Sequence, residues 1–147
     1  DYAANKDEVI KVSKTSSVHS DISGFNDKYE TLLGERGVNL SGGQIQRITI
    51  ARALLKKSKL LILDDCLSSV DAKTERDIIS KIKRTKKNET VIIVSHKISS
   101  VMHADLIIVL ENGVVIEKGT HNKLMLNGGF YKKLAEKQLE SADSIKF

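Results

Sequence analysis

Leu60-Leu61-Ile62-Leu63-Asp64-Asp65 places four consecutive apolar residues directly ahead of two carboxylates. The run is too short for a helix and does not alternate, which is how a strand buried on both faces reads. Two further runs of the same kind follow, Val91 to Val94 and Leu106 to Leu110. The amphipathic stretch Ala72 to Arg84 and the short segment Ile98 to His103 lie between them as crossovers. Strands of this type separated by helices predict an α/β fold built on a mostly parallel sheet. Asn112-Gly113 is a two-residue hairpin signal, so Val114 to Glu117 adds one antiparallel strand. Thr120 is placed to cap a helix through about Leu126, Gly128-Gly129 stops it, and Phe130 to Leu139 forms a last amphipathic helix.

Upstream of the carboxylates, Ser41 is an N-cap for a helix in which Ile45, Ile48, Thr49, Arg52 and Leu55 recur at three- and four-residue steps. Lys56 and Lys57 close its last turn. Gly24 to Leu40 reads as irregular connection, and Asp7 to Ser13 and Ser16 to Ile22 as short helices.

Composition bounds the remaining classes. At 147 residues, 40% hydrophobic and 29% charged, the chain is long enough for a real core and is neither disordered nor low-complexity. Its longest wholly apolar run has five residues, whereas a membrane helix needs about 20. The single cysteine, Cys66, forms no internal disulfide, and no signal-peptide pattern opens the chain, so a reducing, cytosolic setting is expected. The net charge of +5 is uneven, with 5 basic and 7 acidic side chains over residues 1–39 and 19 and 12 over 40–147. The densest basic cluster, Lys81, Lys83, Arg84, Lys86 and Lys87, falls late in an amphipathic helix. Cations suit that end, so it is read as a solvated face and not as a nucleic-acid surface.

Chemistry in open α/β sheets gathers beyond the carboxyl ends of the strands, here Asp64-Asp65, Ser95-His96 and Glu111-Asn112. Two adjacent carboxylates leaving a buried strand suit Mg²⁺, which needs only one or two of them besides phosphate oxygens; an acidic turn capping a helix fits the same residues. Ser41-Gly42-Gly43-Gln44 opening a helix offers unpaired N–H groups to an anion, or serves only as a cap. His96 can donate to a phosphate or orient water, or be structural.

Taken in order, these residues resemble a known family. Leu40-Ser41-Gly42-Gly43-Gln44 with Ile45-Gln46-Arg47 and Ala51-Arg52-Ala53-Leu54 is similar to the ABC signature motif and its helix. Leu60 to Asp65 resembles the Walker B strand, Ser68-Ser69-Val70-Asp71 the D-loop, and His96 the switch histidine. Four motifs thus fall in order within the 57 residues from Leu40 to His96. Thr31-Leu32-Leu33-Gly34-Glu35-Arg36-Gly37 resembles the loop by which exporter-type nucleotide-binding domains touch the coupling helices of the membrane domain, with Leu32 where an acidic residue is usual. Gly119-Thr120-His121 with Leu124 is also similar to half-transporters of the multidrug and lipid exporter group.

The resemblance implies the C-terminal part of a P-loop NTPase domain. Residues 1–57 would be the end of its helical subdomain, and 58–147 the second half of the ATPase core. No GxxxxGK[ST] P-loop occurs; the nearest match, Gly37 to Gly43, has glycine in place of the lysine. The stacking aromatic and the Q-loop glutamine would precede Asp1, so the chain is expected to be a cut piece, inactive alone. The implied cofactors are ATP and Mg²⁺. Asp64 would hold the metal, Asp65 and His96 would be catalytic, and Ser41, Gly42, Gly43, Gln44 and Asp71 would face nucleotide. The implied partners are a second nucleotide-binding domain and the exporter's membrane domain, at the cytoplasmic face of the cell membrane. Asp65 stands where the family usually has glutamate, which resembles the weak site of a heterodimeric exporter. A docking fragment without enzyme activity, and a chromosome-maintenance or DNA-repair ATPase, are the other expectations.

Overall fold

The computed structural model describes residues 4–34 and 39–143, which form two compact units divided between Val94 and Ser95. In the first unit, α1 (Lys6–Thr15) is capped by Asn5, whose side chain accepts from the Glu8 N–H at 3.0 Å. Asp7 and Glu8 lie in its first turn, where the helix dipole favours anions. A short α2 (His19–Ser23) and a single 3-10 turn at Lys28–Glu30 lead to α3 (Gly42–Leu55). Then β1 (Leu60–Asp64), α4 (Ala72–Thr85) and β2 (Thr90–Val94) complete a strand-helix-strand unit. β1 and β2 pair in parallel, from Leu60 opposite Thr90 to Asp64 opposite Val94.

The core gathers Ile50 and Leu54 of α3, Leu61 and Leu63 of β1, Leu67 and Val70 of the following loop, and Ile78, Ile79 and Ile82 of α4. Each such burial contributes about 1.5–3 kcal/mol against unfolding. The strands differ from expectation, because only one face of each is covered. Leu61 and Leu63 are buried, whereas Leu60, Ile62, Ile92 and Val94 are exposed. The helices α3 and α4 supply apolar side chains to one side of the pair.

The basic cluster also departs from its expected role at one position. Lys86, the C-cap of α4, is buried, with its ammonium paired to Glu89 and 3.4 Å from the Ser58 carbonyl. A buried ammonium is stable only when its donors find acceptors, which these two groups supply.

In the second unit, α5 (Ile98–Val101) is followed by β3 (Ile107–Glu111), β4 (Val114–Gly119), α6 (His121–Asn127) and α7 (Phe130–Asp143). β3 and β4 form an antiparallel sheet of their own, with a bulge between Val109 and Leu110. The apolar run at 106–110 was expected in the parallel sheet. Its continuity signals apolar surroundings but does not choose a strand partner, and the turn beside it imposes a local one. Asn112 and Gly113, at φ 49° and 78°, supply the left-handed pair that such a hairpin requires. Thr120 caps α6 by accepting from the Lys123 N–H, and Gly128 ends it at φ 72°. Ile107, Leu124 and Tyr131 form the core here. No helix among the described residues is long and apolar enough to cross a membrane.

Candidate functional site

The start of α3 is closed by a reciprocal capping box. The Ser41 hydroxyl accepts from the Gln44 N–H at 3.2 Å, and Gln44 Oε1 accepts from the Ser41 N–H at 2.9 Å. Gln44 Nε2 donates to Asp21 Oδ1 at 2.9 Å, so its whole amide is committed to holding the loop. Arg47 fixes the same corner from one turn further on. It donates to Asp21 Oδ2 at 2.8 Å, to the Gly43 carbonyl at 3.2 Å and to the Ser17 carbonyl. Burial raises the Asp21 carboxyl, but hydrogen bonds from Gln44 and Arg47 more than offset this and hold it below the usual carboxylate range.

A cleft of about 450 Å³ opens beside this corner, bounded by Ser41, Gly42 and Gly43 on one side and by Ser69 and Asp71 on the other. The two glycines differ in what they permit. A Cβ on Gly42 would stand 3.5 Å from Ser69 Oγ, an ordinary contact, whereas one on Gly43 would meet the Ser69 carbonyl oxygen at 3.0 Å. The second glycine is therefore what lets α3 close against the loop before α4. Gln46 joins the same two elements, with Oε1 accepting from the Ser69 N–H and Nε2 donating to Ser68 Oγ, both at 2.9 Å. Asp71 caps α4 by accepting from the N–H groups of Lys73 and Thr74 at 3.1 and 2.9 Å. These bonds, that from Thr74 first, lower its carboxyl below the usual value.

Asp64 and Asp65 stand at the carboxyl end of β1, and both are exposed. Their adjacency therefore needs no cation to offset burial. Asp65 sits at φ 43°, a left-handed conformation that aspartate tolerates better than most side chains, and its N–H donates to the Val94 carbonyl at 2.9 Å. No group of three metal-ligating side chains occurs among the described residues. The pair thus has the donor set for an ion that takes one or two carboxylates and completes its shell with phosphate and water.

His96 belongs to the second unit, and its side chain is exposed. Its backbone is held by α7, where Gln138 Nε2 donates to the His96 carbonyl at 2.7 Å and Gln138 Oε1 accepts from the Ile98 N–H at 2.9 Å. Ser95 Oγ accepts from the Lys97 N–H at 3.0 Å and pairs with Ser100 Oγ at 3.2 Å.

The first unit thus brings Ser41, Gly42, Gly43 and Asp71 into one cleft, with Gln44 behind it as a brace. Asp64 and Asp65 lie at the strand end, and His96 is placed within its own unit. Asp21 and Gln138 had no functional reading in the sequence, and Gln46 and Arg47 only their place in the signature resemblance, since polar pairs 23 to 42 residues apart leave no periodic trace. In the expected coupling loop, Leu32 and Leu33 are exposed, while Glu35, Arg36 and Gly37 lie outside the described residues. Beside Leu33 an apolar cavity of about 180 Å³ is bounded by α1, α2 and α3.

Comparison with known proteins converges with this geometry. The family described as ABC transporter matches residues 4–68. The ABC transporter ATP-binding protein YknU of Bacillus subtilis (strain 168) is 46% identical over 97% of this chain and 24% of its own length. The chain belongs to the ABC transporter ATP-binding family. The multidrug resistance-like ATP-binding protein MdlA of Buchnera aphidicola subsp. Schizaphis graminum is 47% identical over 92% of the chain and 23% of its own length. A solved bacterial Atm1-family ABC exporter with ATP bound superposes with a TM-score of 0.83 at 34% identity, over 92% of this chain and 24% of that one. The chain thus spans about a quarter of the length of these relatives. The fold is that of a P-loop NTPase fragment of the ABC type.

Proposed function

We propose that the chain serves as part of the ATP-binding and ATP-hydrolysing component of an ABC exporter, coupling hydrolysis to transmembrane export at the cytoplasmic face of the membrane. The cleft between Ser41-Gly42-Gly43 and the Ser69–Asp71 segment carries this reading. First-turn amides at Gly42 and Gly43 find no carbonyl within their own helix, and a phosphate is the ligand such groups fit. In the family arrangement that phosphate belongs to the ATP of a second nucleotide-binding domain, so the cleft acts in trans. Residues 1–57 then close the helical subdomain, and 58–147 form the second half of the ATPase core.

On the chain's own side, Asp64 would hold Mg²⁺, Asp65 would take or orient the proton of the attacking water, and His96 would steady the phosphate. When bound, the ion neutralises phosphate charge and templates the nucleophile. Aspartate at position 65 withdraws its carboxylate on the order of 1.5 Å relative to glutamate, and misplacement of about 1 Å can reduce rate roughly 100-fold. We therefore read the subunit as contributing a slow site on its own side and an intact signature to its partner's site, which is a heterodimer. The exposed Leu32 and Leu33, the latter lining the apolar cavity, support contact with a membrane domain.

The test is steady-state ATP hydrolysis. The isolated 147 residues should hydrolyse no ATP above background. In the exporter polypeptide that carries them, Asp65→Glu should raise turnover at least about tenfold. An unchanged rate removes the slow-site assignment.

A further inference from the structure

Gln46 lies one turn inside α3, outside the residues assigned above to nucleotide, and its amide has only one chemically consistent orientation. The Ser69 N–H can only donate, so the atom facing it at 2.9 Å is the carbonyl oxygen Oε1. Nε2 then faces Ser68 Oγ, also at 2.9 Å, and it too can only donate. The Ser68 hydroxyl must accept there, which leaves its single proton for the Asp65 carbonyl at 3.1 Å. The result is a directed chain from the signature helix, through Ser68, to the backbone of the residue that carries the proposed base.

The far end of that chain is already constrained. Asp65 is left-handed at φ 43°, and its N–H is taken by Val94 of β2 at 2.9 Å. The relay joins the Ser68 N–H, 3.4 Å from the Asp65 carbonyl, in holding the other side of that residue, so these bonds together fix where its side chain leaves the backbone. At the near end, a Cβ added at Gly43 would stand 3.0 Å from the Ser69 carbonyl oxygen, so the helix start and the loop run close together there.

We propose that Gln46 is a positioning residue that ties the phosphate-facing start of α3 to Asp65 through Ser68, so that displacement at Gly42-Gly43 moves the proposed base. This rests on the function proposed above, but the tie itself does not require hydrolysis.

Three variants separate the tie from packing. In Gln46→Glu the carboxylate accepts from both the Ser69 N–H and the Ser68 hydroxyl, which draws the Ser68 proton away from Asp65. The bridge from helix to loop survives and the relay is cut. Ser68→Ala cuts it from the other side, and Gln46→Ala removes the bridge while leaving the Ser68 hydroxyl its bond to the Asp65 carbonyl. In the ATPase-active exporter, Gln46→Glu and Ser68→Ala should each lower kcat by about fivefold, the equivalent of one hydrogen bond, with KM for ATP within about twofold and melting temperature near the parent's. The double variant should be no slower than either single one. An unchanged kcat in Gln46→Glu, or additive losses, overturns the proposal. The ¹³C shift of the Asp65 carbonyl in the 147-residue chain reads the relay independently. It should move upfield in Gln46→Glu and Ser68→Ala, each of which takes the hydroxyl bond from that carbonyl, and an unmoved shift in either overturns the tie. A parent exporter without ATPase activity, with the carbonyl shift moving as expected, would instead refute the proposed function alone.

Discussion

Arg47 and Asp21, 26 residues apart in sequence, meet at 2.8 Å with side chains only 16% and 23% exposed. This pair, with Gln44 hydrogen-bonded to the same carboxylate, sets the attitude of the α3 start against α2. Ion pairs on an open surface contribute little, but charge-assisted bonds in a half-buried corner are worth about 1.5–3 kcal/mol each.

Asp21→Asn should therefore be less stable than the parent at pH 7, and urea denaturation measures the gap. The folded carboxyl titrates below its unfolded value, so its contribution is complete above about pH 4 and is lost as acid approaches the folded value. The gap between Asp21→Asn and parent should close in that window. Some acid sensitivity should remain in the variant, because Asp71 and Asp77 are lowered as well, Asp77 chiefly by its bond from Lys81.

The two signature glycines should respond differently to a methyl group. Alanine at 42 meets only ordinary contact and gains helix propensity, so Gly42→Ala should be neutral or stabilising by up to about 1 kcal/mol. Alanine at 43 must push the Ser69 backbone, and overpacking of that kind costs about 1–3 kcal/mol. Thermal melts of the two variants should fall on opposite sides of the parent or nearly so.

Local capping chemistry was legible in the sequence. Ser41, Thr120 and the Asn112-Gly113 turn act on residues two to four positions away, and all three perform as read. The strands were legible as strands, but not which of their faces is covered. Leu61 and Ile62 are chemically alike and only the placement of α3 and α4 separates them. The site was legible where a motif is contiguous, as at Ser41 to Gln44. Its braces were not, since Asp21, Gln46 and Gln138 are polar residues whose partners are chosen by folding alone.

Lys86 illustrates the same gap in charge reading, and it gives a sharp expectation. Glu89→Gln should destabilise the first unit by about 1–3 kcal/mol, short of the cost of stranding a fully buried charge because Glu89 is 31% exposed. Lys86→Met, which removes the ammonium and keeps the apolar stem, should be neutral or stabilising. Chemical denaturation of both variants, compared with the parent, checks the pair.

The bracket that Gln138 places on the His96 segment should be visible in amide exchange. Removing it in Gln138→Ala should speed exchange at the Ile98 N–H by about fivefold, one hydrogen bond's worth. Amides in the middle of α7 should keep their protection, which NMR-detected exchange resolves residue by residue.

Cys66 follows Asp65 directly and packs against the same core as β1. Burial first, then the negative charge of Asp65 and its neighbours, pushes its thiol up to about 11. At pH 8 only about one such thiol in a thousand is ionised, and the neutral form is a poor nucleophile. The molecule therefore carries its own clock at the turn where the carboxylates emerge. A thiol-reactive dye should label it slowly while that turn is closed, and any substitution that loosens the turn should announce itself as faster labelling with no added probe.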